Sequence, residues 1–250
     1  MILEAKDIKK YFAIERGAFK KESGIVKAVD GISFGVEEFK TMGIVGESGS
    51  GKTTLAKIIL KLVPPTSGEV IFNREIIKDF TKDVQIIFQN PYNSLDPKMR
   101  ILDLISEPLL VHRMAQGINL KSRVTELLQM VGLEANILNR YPIEFSGGQR
   151  QRICIARALA SEPKLIVLDE PISSLDLTIQ WSILDLFLRL KDRFKLTYIF
   201  ISHNLAVIKH IADSVIVMKN GLLIEQGDCR DIFDHPGNSY TKQLLAAAKA

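Results

Sequence analysis

Eight consecutive residues, Gly46-Glu47-Ser48-Gly49-Ser50-Gly51-Lys52-Thr53, meet every specified position of the phosphate-cradling loop G-x-x-x-x-G-K-[ST]. The chemistry of such a loop is the grip of a nucleoside triphosphate. Its glycines let successive backbone N–H groups turn toward anionic oxygens, and the positive end of a following helix faces the same oxygens. Lys52 would reach the β- and γ-phosphates, the Thr53 hydroxyl would ligate Mg²⁺, and Thr54 opens the helix. Further along, Asp169 and Glu170 follow a continuous apolar run, at the edge where a parallel sheet presents its ligand crevice. Asp169 is suited to hold Mg²⁺, directly or through water, and Glu170 to polarise an attacking water. Ser146-Gly147-Gly148-Gln149 precedes a helical stretch and offers a second set of converging N–H groups with a hydroxyl. Each feature has a plainer alternative: a glycine-rich turn, an acidic N-cap at a strand end, an ordinary helix start.

The elements that must position these residues are legible in the periodicity. Thr41 to Val45 reads as a buried strand and Thr54 to Leu60 as an amphipathic helix, so the glycine loop has the strand-turn-helix setting it requires. Up to about Val36 the chain alternates apolar and polar residues, through Ile2, Glu4, Lys6 and Ile8 and again Val29, Ile32, Phe34 and Val36, as half-buried antiparallel strands do. Between them Ala13 to Lys27 is polar, carries Gly17 and Gly24, and reads as a hairpin connection or long loop. A turn at Pro64 to Gly68, a strand at Glu69 to Phe72 and a buried strand at Val84 to Phe88 follow. Helical periodicity over Ile101 to Leu110 and Leu120 to Met130 marks a helical insertion at residues 91–150. Apolar runs at Lys164 to Leu168, Leu196 to Ile201 and Ser214 to Met218 then restore a β/α rhythm, the pattern of a buried, mostly parallel sheet. The expected fold class is α/β.

Composition sets bounds on function. Hydrophobic residues are 46% and charged residues 25% of 250, an ordinary globular balance. No apolar run approaches the ~18–20 residues of a spanning helix. The start of the chain lacks an export signal, so a cytoplasmic location is expected. Cys154 and Cys229 lack CxxC spacing and suggest packing, not zinc or a disulfide framework. The formal charge of +4 is interleaved with acidic residues and gives no argument for nucleic acid.

Taken in order, the motifs closely resemble the nucleotide-binding subunit of an ATP-binding cassette transporter over essentially the whole chain. Gly46 to Thr53 resembles the Walker A loop, Gln89 the Q-loop glutamine, Phe145 to Gln149 the signature, and Leu165 to Glu170 the Walker B strand with its catalytic glutamate. Ser174-Leu175-Asp176 is similar to the D-loop and His203 to the switch histidine. Phe145 departs from the commonest signature, which has leucine there; the Ser-Gly-Gly-Gln core is intact. The resemblance implies a RecA-like, P-loop NTPase core (about residues 1–90 and 151–250) with an N-terminal antiparallel β subdomain and an inserted helical subdomain (about 91–150), together one ATPase domain. It also implies a ring near the first strand that stacks on adenine. Phe12 is favoured and Tyr11 is the alternative.

The family mechanism then follows as an expectation. Two cassettes, copies of this chain or this chain with a sister, pair head to tail and sandwich ATP and Mg²⁺ between Walker A of one and signature of the other. The bound set is Phe12, Gly46 to Thr54, Gln89, Ser146 to Gln149 and Asp176, with Thr53, Gln89 and Asp169 toward the metal. Lys52, Glu170 and His203 carry hydrolysis. Finer likeness in Gln89 to Pro97, Ser106 to Leu109, Pro171 to Asp176 with Ile179-Gln180, and the tail from His235-Pro236 to Leu245 points to the oligopeptide, dipeptide and nickel importer branch, although Gly237-Asn238-Ser239 intervene where that branch often has fewer residues. The partners implied are two transmembrane permeases at the cytoplasmic membrane face and, indirectly, a solute-binding protein. Many relatives continue into a cysteine-bearing extension; with the sequence ending at Ala250, no iron–sulfur cluster is expected. The segment after Gln89 is expected to couple hydrolysis to the permeases, with Tyr92, Leu95, Met99 and Ile101 either lining a docking groove or filling the insertion's core. The rival readings are a nucleic-acid- or ribosome-associated cassette ATPase, and a GTPase switch, for which no guanine-reading segment is present.

Overall fold

The computed structural model describes residues 1–16, 21–90 and 94–247. In chain order the strands are β1 (Leu3–Arg16), β2 (Lys21–Val36), β3 (Thr41–Val45), β4 (Ser67–Phe72), β5 (Val84–Ile87), β6 (Leu165–Asp169), β7 (Thr197–Ile201), β8 (Ser214–Lys219) and β9 (Leu222–Asp228). The α-helices are α1 (Lys52–Ile59), α2 (Phe80–Asp83), α3 (Ile101–Val111), α4 (Ile118–Met130), α5 (Gly147–Ala160), α6 (Leu177–Phe194), α7 (Leu205–Ile211), α8 (Cys229–Asp234) and α9 (Ser239–Ala247). They form two compact units, Met1–Ile76 with Thr197–Ala250, and Ile77–Leu196.

In the first unit an antiparallel sheet runs β2-β1-β4. The β1–β2 ladder continues from Leu3↔Val36 to Arg16↔Lys21, so Ala13 to Arg16 and Lys21 to Lys27 are strand where the sequence suggests loop. Gly24 lies in that ladder opposite Ile14; Gly17 lies outside the described residues. The reason is that cross-strand backbone bonding needs no apolar side chain, so a polar, weakly alternating stretch hides its own pairing. Beside it β3 pairs in parallel with β7 and β8, from Thr41↔Tyr198 and Met42↔Ser214 onward. Every residue of β3 and β7 is buried, as the continuous apolar runs require of strands covered on both faces.

Strand β9, antiparallel to β8, was not legible from alternation, because its residues are half-buried or exposed. A signal was present nonetheless. Asn220 and Gly221 take φ of 50° and 80° between Lys219 and Leu222, and Asn-Gly between two strands is the strongest short-range hairpin cue.

In the second unit β5 and β6 pair in parallel, Val84↔Leu165 to Ile87↔Leu168. The strand at Val84 ends one residue earlier than the apolar run suggests and is only partly buried; Phe88 is exposed. Helix α5 packs against α3 and α4. Their shared core is built from Ile101, Leu104, Ile105, Leu109, Val124, Leu127, Leu128 and Ile153, and α3 runs through Pro108.

Candidate functional site

The residues singled out from sequence fall into two groups, one in each unit. In the first, the phosphate loop leaves β3 and enters α1 through three glycines with φ of 153° at Gly46, 82° at Gly49 and 103° at Gly51. The first and last admit no side chain. A Cβ on Gly46 would lie 2.2 Å from the Met218 carbonyl oxygen, and one on Gly51 would lie 2.0 Å from that of Ala28. The loop is therefore pressed between β2 and the β8–β9 hairpin, whose Gly221 N–H donates to the Ser50 carbonyl at 3.0 Å. Gly51 caps α1 with no side-chain hydrogen bond, which leaves the helix N-terminus presented by backbone alone.

Lys52 is 5% exposed, and its ammonium donates to the carbonyls of Gly46 and Glu47, both at 2.8 Å, and to Ser50 Oγ at 3.4 Å. A buried cation held by the loop's own carbonyls, beside an uncapped helix N-terminus, suits a polyanion. The glycine cradle and this donor set fit a triphosphate. Thr53 is exposed and Thr54 half-buried on the first turn of α1.

The two candidate rings on β1 differ in their engagement. The Tyr11 hydroxyl donates to the Asp30 carboxylate, which also accepts from Lys27 Nζ at 3.0 Å. Hydrogen bonds from Tyr11 and then Lys27 hold Asp30 below the usual carboxylate range. Phe12 is 42% exposed, with Lys10 Nζ 5.1 Å from its ring centre. His203 is exposed just beyond β7, where Asn204 caps α7 through Ala206 N–H at 3.0 Å.

The second unit holds the carboxylates and the signature. Asp169 is buried at the end of β6. Glu170 takes φ of 49°, a left-handed conformation uncommon outside glycine and worth attention at a functional position. Its carbonyl accepts from Ser173 N–H at 3.3 Å and Ser173 Oγ at 3.1 Å, which sustains the turn. Its carboxylate accepts from Gln89 Nε2 at 3.3 Å, so β6 and the end of β5 bring these two predicted residues together.

Ser146 caps α5 reciprocally: Gln149 N–H donates to Ser146 Oγ at 3.4 Å, and Ser146 N–H to Gln149 Oε1 at 3.0 Å. Gly148 faces α6, where a Cβ would meet Ile179 at 2.7 Å. Phe145, the variant signature position, is buried under the Arg140 guanidinium at 4.5 Å. Asp176 is exposed at the head of α6. Among the described residues no cluster of three His, Cys, Asp or Glu could hold a metal, and no helix is long and apolar enough to cross a membrane.

A family model described as "ABC transporter" matches residues 29–173, more than half of the chain, spanning the glycine loop, the signature and both carboxylates. The chain belongs to the ABC transporter family. Among curated relatives, the oligopeptide transport ATP-binding protein AppF of Bacillus subtilis is 44% identical over 255 residues, 98% of this chain and 78% of AppF. The di/tripeptide transport ATP-binding protein DppF of Pseudomonas aeruginosa is 42% identical over 257 residues, 100% of this chain and 79% of DppF. Among solved structures, a dimeric ATP-binding cassette in a post-hydrolysis state, bound to ADP and phosphate, matches with a TM-score of 0.77 and 29% identity, covering 92% of this chain and 99% of that one. The P-loop NTPase fold expected from the resemblance is therefore the family's fold here.

Two family-site neighbours escaped the sequence reading. Arg150, buried in α5, donates to the carbonyls of Pro142 at 2.6 Å and Ile143 at 2.9 Å and so pins the turn that leads into Ser146. Arg157 donates to the Ser94 carbonyl at 2.9 Å and to Glu107 Oε2 at 2.6 Å, linking the signature helix to the segment after Gln89. For Arg157 the available signal was an arginine within the apolar run from Ile153 to Ala160. Near Arg157 lies a cavity of about 460 Å³ lined by Phe88, Leu95, Pro108, Val111 and Cys154. Of the four residues expected at a docking groove, Leu95 lines this cavity, Met99 is half-buried elsewhere, Ile101 is 0% exposed in the core, and Tyr92 lies outside the described residues.

Proposed function

We propose that this chain is the ATP-hydrolysing subunit of an importer of short peptides. The observation that carries the reading is that the phosphate loop, signature and Asp169-Glu170 stand in one chain whose full length aligns with oligopeptide and dipeptide transport ATP-binding proteins at 42–44% identity. The relatives give no support to the nucleic-acid alternative. Nickel chelates remain a second solute class, through the branch that the motifs resemble.

In this reading Gly46 to Thr54 bind the triphosphate, Lys52 neutralises charge that develops on it, and Phe12 stacks on adenine. Tyr11 is a weaker candidate for stacking, since its hydroxyl is committed to Asp30. Glu170, oriented by its backbone and by Gln89, takes the proton of the attacking water. Thr53, Gln89 and Asp169 are the residues that the family resemblance assigns to hold Mg²⁺, which when bound would supply charge neutralisation at the phosphates. His203 contacts the γ-phosphate. Ser146 to Gln149 and Asp176 of one cassette complete the nucleotide site of a second cassette, a copy or a sister, within one ATPase domain per chain. Two permeases dock at the cytoplasmic membrane face, and a solute-binding protein delivers the peptide. The cavity beside Arg157 is the proposed seat of the permease contact.

The test is reconstitution with the permeases that co-purify. ATP-dependent uptake of a labelled tripeptide, compared with a nickel chelate, is expected to depend on intact Lys52. ATPase activity stimulated by RNA and not by permeases would refute the reading.

A further inference from the structure

A chain of hydrogen bonds runs from Glu170 to the helices α3 and α5. Its first link is Gln89, which stands exposed just past β5 and donates from Nε2 to Glu170 Oε2 at 3.3 Å. An exposed glutamine has several rotamers open to it, so how long its amide stays on one carboxylate depends on how firmly the backbone beneath it is held. That backbone is held from outside. The Asn90 carbonyl accepts from Ser94 Oγ at 3.0 Å, and the Ser94 carbonyl accepts from Arg157 Nη1 at 2.9 Å. The other terminal nitrogen of Arg157, Nη2, donates to Glu107 Oε2 at 2.6 Å.

Arg157 and Glu107 stand on helices whose inner faces are packed through Leu104, Ile105 and Leu109 of α3 and Ile153 of α5. Groups mounted on packed helices are placed more precisely than groups on loops. The guanidinium therefore passes the rigidity of the helical core to the segment after Gln89. As an ion pair alone the two residues would matter little, since their side chains are 35% and 47% exposed and such surface pairs add almost nothing to stability. Geometry is what sets the pair apart. The planar fork keeps one N–H on a main-chain carbonyl while another is on a carboxylate, and a lysine ammonium, a single point of charge, does not reproduce that span.

We propose that Arg157 is a positioning residue for hydrolysis: braced by Glu107, it fixes Ser94 and Asn90 and so keeps the Gln89 amide on Glu170. Its effect passes through Gln89 and falls on turnover, not on nucleotide affinity. The inference rests on the assignment of Glu170 as the general base.

Arg157→Lys keeps the charge and loses the fork. In the cassette pair that contains this chain, steady-state ATPase should show kcat lowered about tenfold with the KM for Mg-ATP unchanged, a smaller loss than the roughly hundredfold of a missing general base. The calorimetric Kd for Mg-ATP and the Tm should stay level. Ser94→Ala cuts the next bond without touching Arg157 or the core, and should lower kcat in the same way even where Arg157→Lys fails to fold. In a Gln89→Ala background neither change should lower kcat further, because both act through that amide. A merely structural arginine would lower Tm, and would lower kcat by the same factor whether or not Gln89 is present; that result, or an unchanged kcat for Ser94→Ala, overturns the proposal. A Glu170→Gln chain with near-wild-type turnover overturns the assignment of the base itself, an outcome distinct from a working base that ignores Arg157.

Discussion

In the proposed mechanism Glu170 and Lys52 divide one reaction between different electrostatic tasks. Glu170 is a carboxylate on a left-handed backbone with Gln89 donating to it, an arrangement that aims it without neutralising it. Lys52 is a buried ammonium held by loop carbonyls, and the proposed mechanism exchanges those partners for phosphate oxygens. Glu170→Gln should therefore leave Mg-ATP binding largely intact and lower hydrolysis by at least about a hundredfold, the scale of a positioned general base. Lys52→Ala should instead weaken nucleotide binding, seen as a raised Kd by calorimetry. Both types and spacings were visible in the sequence because each motif is a few contiguous residues. The conformation of Glu170 was not, since its backbone is set by the turn through Ser173 and not by its own preference.

At the scale of elements, the glycine loop depends on neighbours distant in sequence. Gly51 combines φ of 103° with the Ala28 carbonyl at 2.0 Å from any added Cβ, so Gly51→Ala must strain the backbone and displace β2. Denaturant unfolding of this variant should show a loss of more than about 1–3 kcal/mol, the cost of a disallowed backbone alone, together with loss of ATP binding. The strand, turn and helix around the loop were read correctly from periodicity, whereas the β8–β9 hairpin behind it was not, because β9 has neither a buried run nor clean alternation. The docking segment shows the same division. Ile101 is apolar because it is core, and the exposed apolar residues at the cavity are Phe88 and Val111, the latter 69% exposed. Charged substitutions at both, Phe88→Glu with Val111→Glu, should spare folding and ATP binding by the free subunit and uncouple uptake from hydrolysis. Parallel uptake and ATPase assays on the reconstituted complex decide this, and unchanged uptake would move the permease contact elsewhere.

At the scale of the whole molecule, the proposed mechanism brings Ser146 to Gln149 against a γ-phosphate held by another cassette. Light scattering of the Glu170→Gln chain should report a monomer without nucleotide and a dimer with Mg-ATP. A dimer formed only with a sister cassette would set the composition of the pair, and no association even with the permeases present would refute the sandwich. The sequence by itself determined the family and the candidate phosphate site, because phosphate recognition is written in short runs whose glycines, lysine and hydroxyls act through local backbone geometry. The tertiary structure decided which residues surround that chemistry: Tyr11 committed to Asp30 while Phe12 stays exposed, Ala13 to Arg16 paired as strand, and Ile101 enclosed. At these positions burial and cross-strand pairing are set by contacts between residues separated in the chain, which the local pattern of residue types did not show.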